Sequence, residues 1–411
     1  MNHYAGSMFF NKGGRHYYFA KYLKQLGYTP TVFCSNSKHG PAELFYDVDD
    51  LWQMRCADEI DVPFVFVKAR TYVGNGKQRI FNMIDFYRNV QTVAKEYEKQ
   101  NGKPDTIYAS SVHPLTLLAG LKLAKMYGIK CICEVRDLWP ESLIAYGMLS
   151  RKSFVAKVLY IGEKYIYKKA DNVIMTWAGG YDYIIEKGWH KKIPKSKVTH
   201  IDNGFDGDSF YANMAKGEIQ DEDIGYKSCM KFVYTGSIRK VNNLGVLVDA
   251  AEILQKRGVE NTSILVYGDG DEKTDLEKRV IERGLNNIEF KGSVPKTLIP
   301  YILEQADVSI LHNSSTDLDK YGQSQNKFFE YLAAGKPILM TYSVGHSICK
   351  KYTCGIELEK QTPEDIADGI EFFTRLNREE YEEFCKNARG ISRNYDYKEL
   401  TARLVEVIEQ I

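Results

Sequence analysis

The sequence predicts an α/β protein of two doubly wound, Rossmann-like domains, each with a parallel sheet. Short apolar segments alternate with amphipathic helical segments in the first half of the chain, and the alternation returns in the second half. This order is typical of parallel sheets covered by helices on both faces. A stretch rich in Gly, Asp and Asn, which favour turns, separates the halves. Two such domains facing each other would form a cleft at the carboxyl ends of their strands, where ligands bind.

The expected strands fix the domain boundaries. We expect strands at 31–34, 64–67, 106–109, 131–133, 172–175, 198–201, 231–234, 264–267, 287–290, 308–311 and 337–340, with helices at 15–26 and 115–127. The N-terminal domain is then 1–202, the linker or hinge 203–230 and the C-terminal domain 231–394, with a helix at 395–411 that could pack back on the N-terminal domain. Little precedes the first glycine loop, so the first strand looks short or missing. A start placed too late is favoured over a truncated chain.

Composition and charge exclude several classes of protein. The 411 residues are 44% hydrophobic and 27% charged, as in globular proteins, and the net charge of +1 gives no sign of nucleic-acid binding. No run of about eighteen apolar residues predicts a transmembrane helix. The N-terminus lacks the pattern of a secretory signal, and the eight cysteines are scattered. We therefore expect a cytoplasmic protein with reduced cysteines.

Two candidate sites lie in the first half. Gly13 and Gly14 open a helix, whose N-terminus could bind a phosphate group, although an ordinary turn has the same pattern. His113 follows a strand, where it could act as a base, make a polar contact or serve only structure.

Charged residues also follow the strand at 131–133. Glu134, Arg136 and Asp137 lie immediately after or at the end of this apolar segment. They could line a ligand cleft, or they could form an internal set of salt bridges. The pattern does not separate these two interpretations.

Residues 324–337 give the most specific pattern. They predict a helix that ends at Gly335, because glycine at a helix end followed by proline is a strong stop signal. Lys327 and Glu330 are three residues apart and share one face of this helix. They could hold a diphosphate and a ribose diol, or they could be a surface ion pair.

With these motifs, the sequence resembles retaining glycosyltransferases of family 4, which have the GT-B fold. Seven segments agree with the family in order and spacing, at 13–15, 134–141, 202–206, 234–237, 268–270, 290–295 and 324–337. Residues 134–141 are similar to a branch that builds bacterial surface polysaccharides such as capsule and O-antigen, including N-acetylfucosaminyl-transferase-like members. The resemblance covers nearly the whole chain.

The resemblance implies roles for particular residues. The donor, a nucleotide-sugar with UDP as the default, would contact Gly13, Gly14, Gly236, Lys240, Gly268, Asn326 and Glu330. Catalytic roles fall to His113, Arg239, Lys327 and Glu330, and acceptor-side contacts to Arg15, Glu134, Arg136 and Asp137. Glu330 matches the second glutamate of the family's paired motif, whereas the position of the first is Gly322. Residues 323–326 could supply the missing contacts to the donor sugar.

The chemistry expected from this resemblance is transfer with retention at the anomeric carbon. Positive groups and helix N-termini aimed at the leaving diphosphate would lower the barrier. No Asp-x-Asp pair stands out in the sequence, so we expect transfer without a metal ion or other cofactor. Closure of the domains about 203–230 would exclude water from the reaction.

Two basic stretches could meet the inner membrane, where the lipid-linked acceptor that the resemblance implies, such as an undecaprenyl-diphosphate glycan, would lie. Residues 68–99 carry seven Lys or Arg and three acids, and residues 151–169 carry six and one. In the second stretch Phe154, Val158, Ile161 and Tyr165 recur at helical spacing. A basic amphipathic helix can lie on an anionic bilayer, although such a stripe is more often core.

Three other classes of function remain. A dinucleotide-dependent oxidoreductase would need a third glycine after 268–270, which is not in place. A UDP-sugar 2-epimerase-type isomerase would share the fold and need no acceptor. A non-catalytic glycosyltransferase-like partner subunit would accommodate Gly322 in place of glutamate.

Overall fold

The computed structural model describes residues 1–40, 42–47, 50–74, 76–111, 113–219, 221–225 and 229–411. They form two compact units. Unit 1 is Met1–Asp202 with Tyr397–Ile411, and unit 2 is Asn203–Asp396. Parts of three sequence predictions lie outside the described residues: Val112 beside His113, Asn75 in the first basic stretch, and Gln220 with 226–228 in the expected linker.

The described strands of unit 1 form two sheets, with orders β1-β3-β2 and β4-β5-β6-β7. The strands are β1 (Val32–Ser35), β2 (Trp52–Ala57), β3 (Val62–Val67), β4 (Thr106–Ser110), β5 (Lys130–Val135), β6 (Asn172–Met175) and β7 (Val198–His200). All pairs are parallel except β2 with β3. The sequence did not predict β2, because this half-exposed edge strand lacks a continuous apolar run.

Residues 1–3 lie between the two sheets of unit 1. On one side, the backbone N–H of Asn2 donates to the carbonyl of Phe33 at 3.0 Å. On the other side, the N–H of Ser110 donates to the carbonyl of Met1 at 2.9 Å. These residues therefore make strand-like hydrogen bonds to β1 and to β4. They lie at the position where the sequence predicts a short or missing first strand.

The helices of unit 1 begin with a short one ahead of the glycine loop. They are α1 (Gly6–Phe10), α2 (Arg15–Gln25), α3 (Lys77–Asn101), α4 (Pro114–Tyr127), α5 (Glu141–Ala145), α6 (Phe154–Lys169) and α7 (Gly180–Glu186). The helices expected at 15–26 and 115–127 correspond to α2 and α4.

Unit 2 contains one six-stranded sheet of order β10-β9-β8-β11-β12-β13 in its described residues, with every pair parallel. The strands are β8 (Met230–Thr235), β9 (Thr262–Tyr267), β10 (Ile288–Gly292), β11 (Val308–Leu311), β12 (Ile338–Met340) and β13 (Gly355–Glu357). The strand order reverses between β8 and β11, and a doubly wound sheet binds ligands at the carboxyl ends beside such a point.

Helices cover both faces of this sheet. They are α8 (Gly207–Lys216), α9 (Glu222–Gly225), α10 (Gly245–Lys256), α11 (Lys273–Glu282), α12 (Ile299–Gln305), α13 (Asn326–Ala334), α14 (Ile348–Tyr352), α15 (Pro363–Thr374) and α16 (Arg378–Ser392). Successive residues of a strand belong to different core clusters, one on each face of the sheet. Phe232 is in one cluster and Val233 is in the other. Burial on both faces explains why these strands read as continuous apolar runs.

The last helix, α17 (Tyr397–Gln410), belongs to unit 1. Leu400 and Leu404 share a buried cluster with Phe19 and Tyr22 of α2. Apolar residues three and four positions apart form the buried stripe of α17, as expected for an amphipathic helix.

The linker or hinge expected at 203–230 contains regular structure. Residues Gly207–Lys216 form α8, and its Phe210 is buried in the core of unit 2. The Asp206 carboxylate accepts a hydrogen bond from the backbone N–H of Ser209 at 3.0 Å, which caps the helix. The Gly and Asp residues that suggested a linker are thus a helix start.

Among the described residues, no helix combines the length and the apolar character needed to cross a membrane.

Candidate functional site

The loops after β8 and β9 pack closely together in unit 2. The N–H of Gly236 donates to the carbonyl of Tyr267 at 2.9 Å, and the N–H of Ile238 donates to the carbonyl of Asp269 at 2.9 Å. A Cβ atom on Gly268 would lie 1.7 Å from the carbonyl oxygen of Gly236. The predicted donor-site glycines 236 and 268 therefore allow two strand-end loops to approach each other.

Lys327 reaches the same strand end from α13. The helix ends where the sequence predicted, at Gly335, which has a φ of 68°. The Lys327 Nζ donates to the Tyr234 hydroxyl at 3.1 Å and lies 4.2 Å from the centre of that ring. A Cβ on Gly236 would lie 2.8 Å from Nζ. The ammonium group is thus held directly beside the backbone that follows β8.

Burial changes the acidity of this lysine. It lowers the pKa of Lys327 to about 8, against an opposing effect of Glu330. The ammonium form still predominates at neutral pH. Because a nearby anion favours the charged form, a diphosphate bound here would raise the pKa again.

Glu330 lies one turn further along the same helix face. Its carboxylate is 3.5 Å from the Nζ of Lys296, and its side chain is 19% exposed. The sequence also allowed a surface ion pair between Lys327 and Glu330. The described residues do not form that pair. Glu330 keeps an accessible edge, and its described ionic partner is the largely exposed Lys296.

Arg239 and Lys240 are both exposed on the loop after β8. Ile238 is fully buried and anchors this loop. The side chain of Asn242 accepts from Ser237 at 2.9 Å and donates to the Asn313 side-chain oxygen at 3.1 Å. The loop therefore presents two cations from a braced backbone.

The sequence reading missed a buried polar network beneath this loop. The His312 ring contacts the Thr341 hydroxyl at 2.7 Å and the carbonyl oxygen of Asn243 at 3.1 Å. Burial lowers the pKa of His312 to about 4, so the ring is neutral at neutral pH. A signal existed, because His312 and Thr341 directly follow β11 and β12, at the carboxyl edge of the sheet.

Residues 322–326 lead into α13. Gly322 has a φ of 98°, which strains residues other than glycine, so the backbone itself disfavours the family's glutamate here. The Gln325 amide donates to the Tyr342 hydroxyl, and Gln323 accepts from the N–H of Gln325 at 2.9 Å. The Asn326 side chain is exposed at the first turn of α13.

In unit 1 the structure places Glu134 in a buried network with Arg15. The Arg15 Nε donates to the Glu134 carboxylate at 2.6 Å, and Arg15 also donates to the carbonyls of Ile201 and Asp202. Hydroxyls of Ser110 and Tyr108 donate to the same carboxylate. Glu134 is 0% and Arg15 2% exposed. The two predicted acceptor-side residues therefore connect α2, β5 and the end of β7.

This network fixes the charge of Glu134. Burial alone would raise the pKa of the carboxyl group, but the Arg15 guanidinium and the hydrogen bond with His16 hold it well below its usual range. The internal salt bridge that the sequence left open exists, yet its described partner is Arg15 rather than Arg136 or Asp137.

Arg136 and Asp137 lie beyond the buried network. The backbone N–H of Arg136 donates to the Ser111 hydroxyl at 3.0 Å, which holds the turn after β5. Among the described residues, the Arg136 Nε is buried and has no hydrogen-bond partner. Asp137 is exposed. Of the four acceptor-side candidates, these two have the more open surroundings.

His113 precedes α4 as its N-cap residue. Its Nε2 lies 2.7 Å from the Nδ1 of His3, and its Nδ1 is buried without a hydrogen-bond partner in the described part of the chain. Burial and the charge of Arg79 lower its pKa to about 3. A general base needs a pKa near the working pH, so the lowered pKa favours a neutral polar contact over proton abstraction.

The glycine loop of unit 1 opens α2 as predicted. Gly14 is the N-cap and has a φ of 108°, and it supplies no side-chain cap to the helix. A Cβ at this position would lie 3.1 Å from the Met8 side chain. The ligand contact predicted for Gly13 and Gly14 stays a prediction.

Two family models match the chain. Residues 15–209 match a model described as Glycosyltransferase Family 4, and residues 230–375 match one described as Glycosyl transferases group 1. A solved structure of Anabaena Alr3699/HepE in complex with UDP has a TM-score of 0.67 at 15% identity, covering 100% of this chain and 99% of that one. The chain therefore has the GT-B fold, and two successive parts of it match models of glycosyltransferase families. The predicted fold class is confirmed.

Two curated relatives match this chain over only part of their length. The probable glycosyltransferase WbjE of Pseudomonas aeruginosa is 22% identical, with 59% of each chain covered. The putative teichuronic acid biosynthesis glycosyltransferase TuaH of Bacillus subtilis (strain 168) is 25% identical, covering 67% of this chain and 66% of the relative. The match thus spans less than two thirds of the length of either relative.

Proposed function

We propose that the protein transfers a sugar from a UDP-sugar, with retention, to a lipid-linked glycan during synthesis of a bacterial surface polysaccharide. One observation carries the donor half of this proposal. Lys327 is held by Tyr234 beside the backbone of Gly236, at the carboxyl end of β8 and next to the reversal of strand order. This is where a doubly wound sheet receives a nucleotide.

The leaving group explains why cations belong there. Breaking the bond between sugar and phosphate places negative charge on UDP, and fixed positive groups stabilise that charge as it develops. Lys327 is a partly buried cation of this site, and Arg239 and Lys240 are exposed cations on the loop after β8. Together they would balance a diphosphate, so we propose that transfer requires no metal ion.

Glu330 would accept hydrogen bonds from the ribose hydroxyls of the donor. Its position one turn after Lys327 and its partly exposed carboxylate support this role. His113, neutral because of its lowered pKa, would donate or accept a hydrogen bond at the reacting sugar. Arg136 and Asp137 would meet the acceptor.

The acceptor half rests on similarity and on the sequence. The Bacillus relative carries the name of a teichuronic acid biosynthesis enzyme, and residues 134–141 resemble the N-acetylfucosaminyl-transferase-like branch. We therefore propose an undecaprenyl-diphosphate-linked acceptor of a capsule or O-antigen pathway. Such an acceptor would bring the protein to the cytoplasmic face of the inner membrane.

Thermal unfolding with nucleotides tests the donor site. UDP at one hundred times its dissociation constant should stabilise the protein by about 2.7 kcal/mol, whereas GDP, CMP, dTDP and NAD should not. Glu330→Ala should abolish the shift. Glu304→Ala, an exposed glutamate of α12 in the same unit, should retain it. No shift of the wild type with any nucleotide would refute the donor site and favour a partner subunit.

Product analysis tests the reaction itself. With a UDP-sugar and a polyprenyl-diphosphate glycan, NMR of the product should show the anomeric configuration of the donor, and EDTA should leave the rate unchanged. Conversion of the UDP-sugar to its epimer without any acceptor would instead establish the isomerase. An inverted product, or activity lost in EDTA and restored by Mg²⁺, would contradict the retention and the metal independence respectively.

A further inference from the structure

The outer face of α6 carries an apolar stripe that the fold does not use. Phe154 is 79% exposed, Val158 48%, Ile161 70% and Tyr165 51%. At about 100° per residue, these four side chains lie within roughly 60° of one another around the helix axis. They form a continuous strip along the helix, and we call it the α6 stripe.

The core of unit 1 already uses the opposite face of α6. Ala156, Ile166 and Tyr167 are buried, as is Glu163, whose carboxylate accepts from the Tyr167 and Tyr183 hydroxyls at 2.7 Å each. The helix is therefore apolar on two opposite sides. The interpretation of the α6 stripe as ordinary core, which the sequence left open, does not hold.

Cations border the stripe. Lys157, Lys164 and Lys168 follow one edge, and Lys169 lies on the other, by the same helical geometry. In the described part of the chain, Lys157, Lys168 and Lys169 enter no ion pair. The acid of this helix, Glu163, faces the core. The outer face is thus apolar and positive, without a carboxylate.

We propose that the α6 stripe and its lysines dock on an anionic lipid bilayer surface. Apolar side chains flanked by lysines match a membrane interface, where the acyl boundary takes the apolar groups and anionic headgroups attract the cations. A helix lying in the plane of the interface would present its whole outer face. The inference deepens the proposed function and rests on it for its purpose, because a lipid-linked acceptor is presented at this surface.

Vesicle flotation of the full chain tests the surface. Wild-type protein should float with phosphatidylcholine vesicles containing about one third phosphatidylglycerol and bind far less to pure phosphatidylcholine. The double variant Phe154→Ser/Ile161→Ser should lower partitioning by at least about tenfold, because two large apolar side chains no longer leave water. Lys157→Glu/Lys168→Glu should also weaken binding by about tenfold or more, and salt should weaken binding of the wild type.

Matched controls come from unit 2. Ile281 of α11 is 78% exposed and Lys386 of α16 is exposed, so Ile281→Ser and Lys386→Glu should bind vesicles like the wild type. Equal binding by stripe and control variants, or no binding of wild type to anionic vesicles, would overturn the proposal. A dimer in sedimentation that the stripe variant disperses would assign the surface to a second copy of the chain instead. The UDP-induced shift of unfolding is measured on the same variants, so failure of the membrane surface stays distinguishable from failure of the donor site.

Discussion

Glu134 in unit 1 and Lys327 in unit 2 occupy comparable places, at the carboxyl edges of their sheets, but their surroundings differ. Glu134 is fully buried and receives hydrogen bonds from Arg15, Ser110 and Tyr108. Lys327 donates to one tyrosine hydroxyl and lies against a glycine. A charged residue at a strand end is therefore not a ligand site by position alone. Satisfied partners indicate a structural role, and spare hydrogen-bonding capacity beside an open backbone indicates a ligand.

The largest effect expected from this comparison is on stability. Glu134→Ala should lower the free energy of unfolding by about 3–5 kcal/mol, because it leaves the Arg15 guanidinium buried without its counter-charge. Urea unfolding measures the loss. The control Glu382→Ala removes an exposed carboxylate 3.7 Å from Arg389 and should cost at most about 0.5 kcal/mol. If Glu134→Ala has near-wild-type stability but binds the acceptor more weakly, Glu134 has a ligand-binding role and not a structural one.

Lys327→Met should spare the fold and impair the reaction. The methionine keeps the contact with the Tyr234 ring but removes the positive charge, so kcat should fall by about 10²–10³-fold, as for loss of a group that stabilises developing charge. The control is Lys351→Met, which alters a lysine 4.9 Å from the ring centre of Tyr352 on α14. A fully active Lys327→Met enzyme would show that the diphosphate is balanced elsewhere.

Much of the fold was readable from the sequence, because local pattern determined it. Gly335 ends α13 as predicted, and the apolar runs of the parallel strands reflect burial on both faces. The pattern failed where it had two meanings. Gly and Asp residues near 206 predict a linker, yet Asp206 caps α8 and Gly207 begins it, and the edge strand β2 has no apolar run.

The candidate site was readable only in part, because pairing across the chain leaves no local signal. Lys327 and Glu330 were found because they lie three residues apart on one helix. The Arg15–Glu134 pair joins residues 119 positions apart, so the local pattern offers only Arg136 and Asp137 as neighbours of Glu134 and gives no sign of Arg15. Exposure is equally non-local, since the α6 stripe has the same spacing as a core stripe and only the packed structure shows which face is buried.

A second buried carboxyl group sharpens the comparison within unit 1. Glu163, like Glu134, is a buried carboxyl group that accepts hydrogen bonds from hydroxyl groups, Tyr167 and Tyr183 in its case. Lys187 lies near enough to act on its charge, but that ammonium pairs with Glu141. Among the described residues no arginine pairs with Glu163, so burial dominates and raises its pKa from 4.5 to about 8.

The smallest of the three expected effects follows from this raised pKa. A carboxyl group whose folded-state pKa exceeds the unfolded value stabilises the fold fully below pH 4.5 and loses that contribution as the pH rises towards 8. Glu163→Gln, which cannot ionise, should remove this dependence, so its stability relative to wild type should rise by about 1–3 kcal/mol between pH 5 and pH 7. Urea unfolding at each pH measures the difference, with the exposed Glu406→Gln of α17 as a control that should show no such trend. A difference that falls with pH would mean that Glu163 is stabilised as an anion, as Glu134 is, and that an arginine is not what separates the two sites.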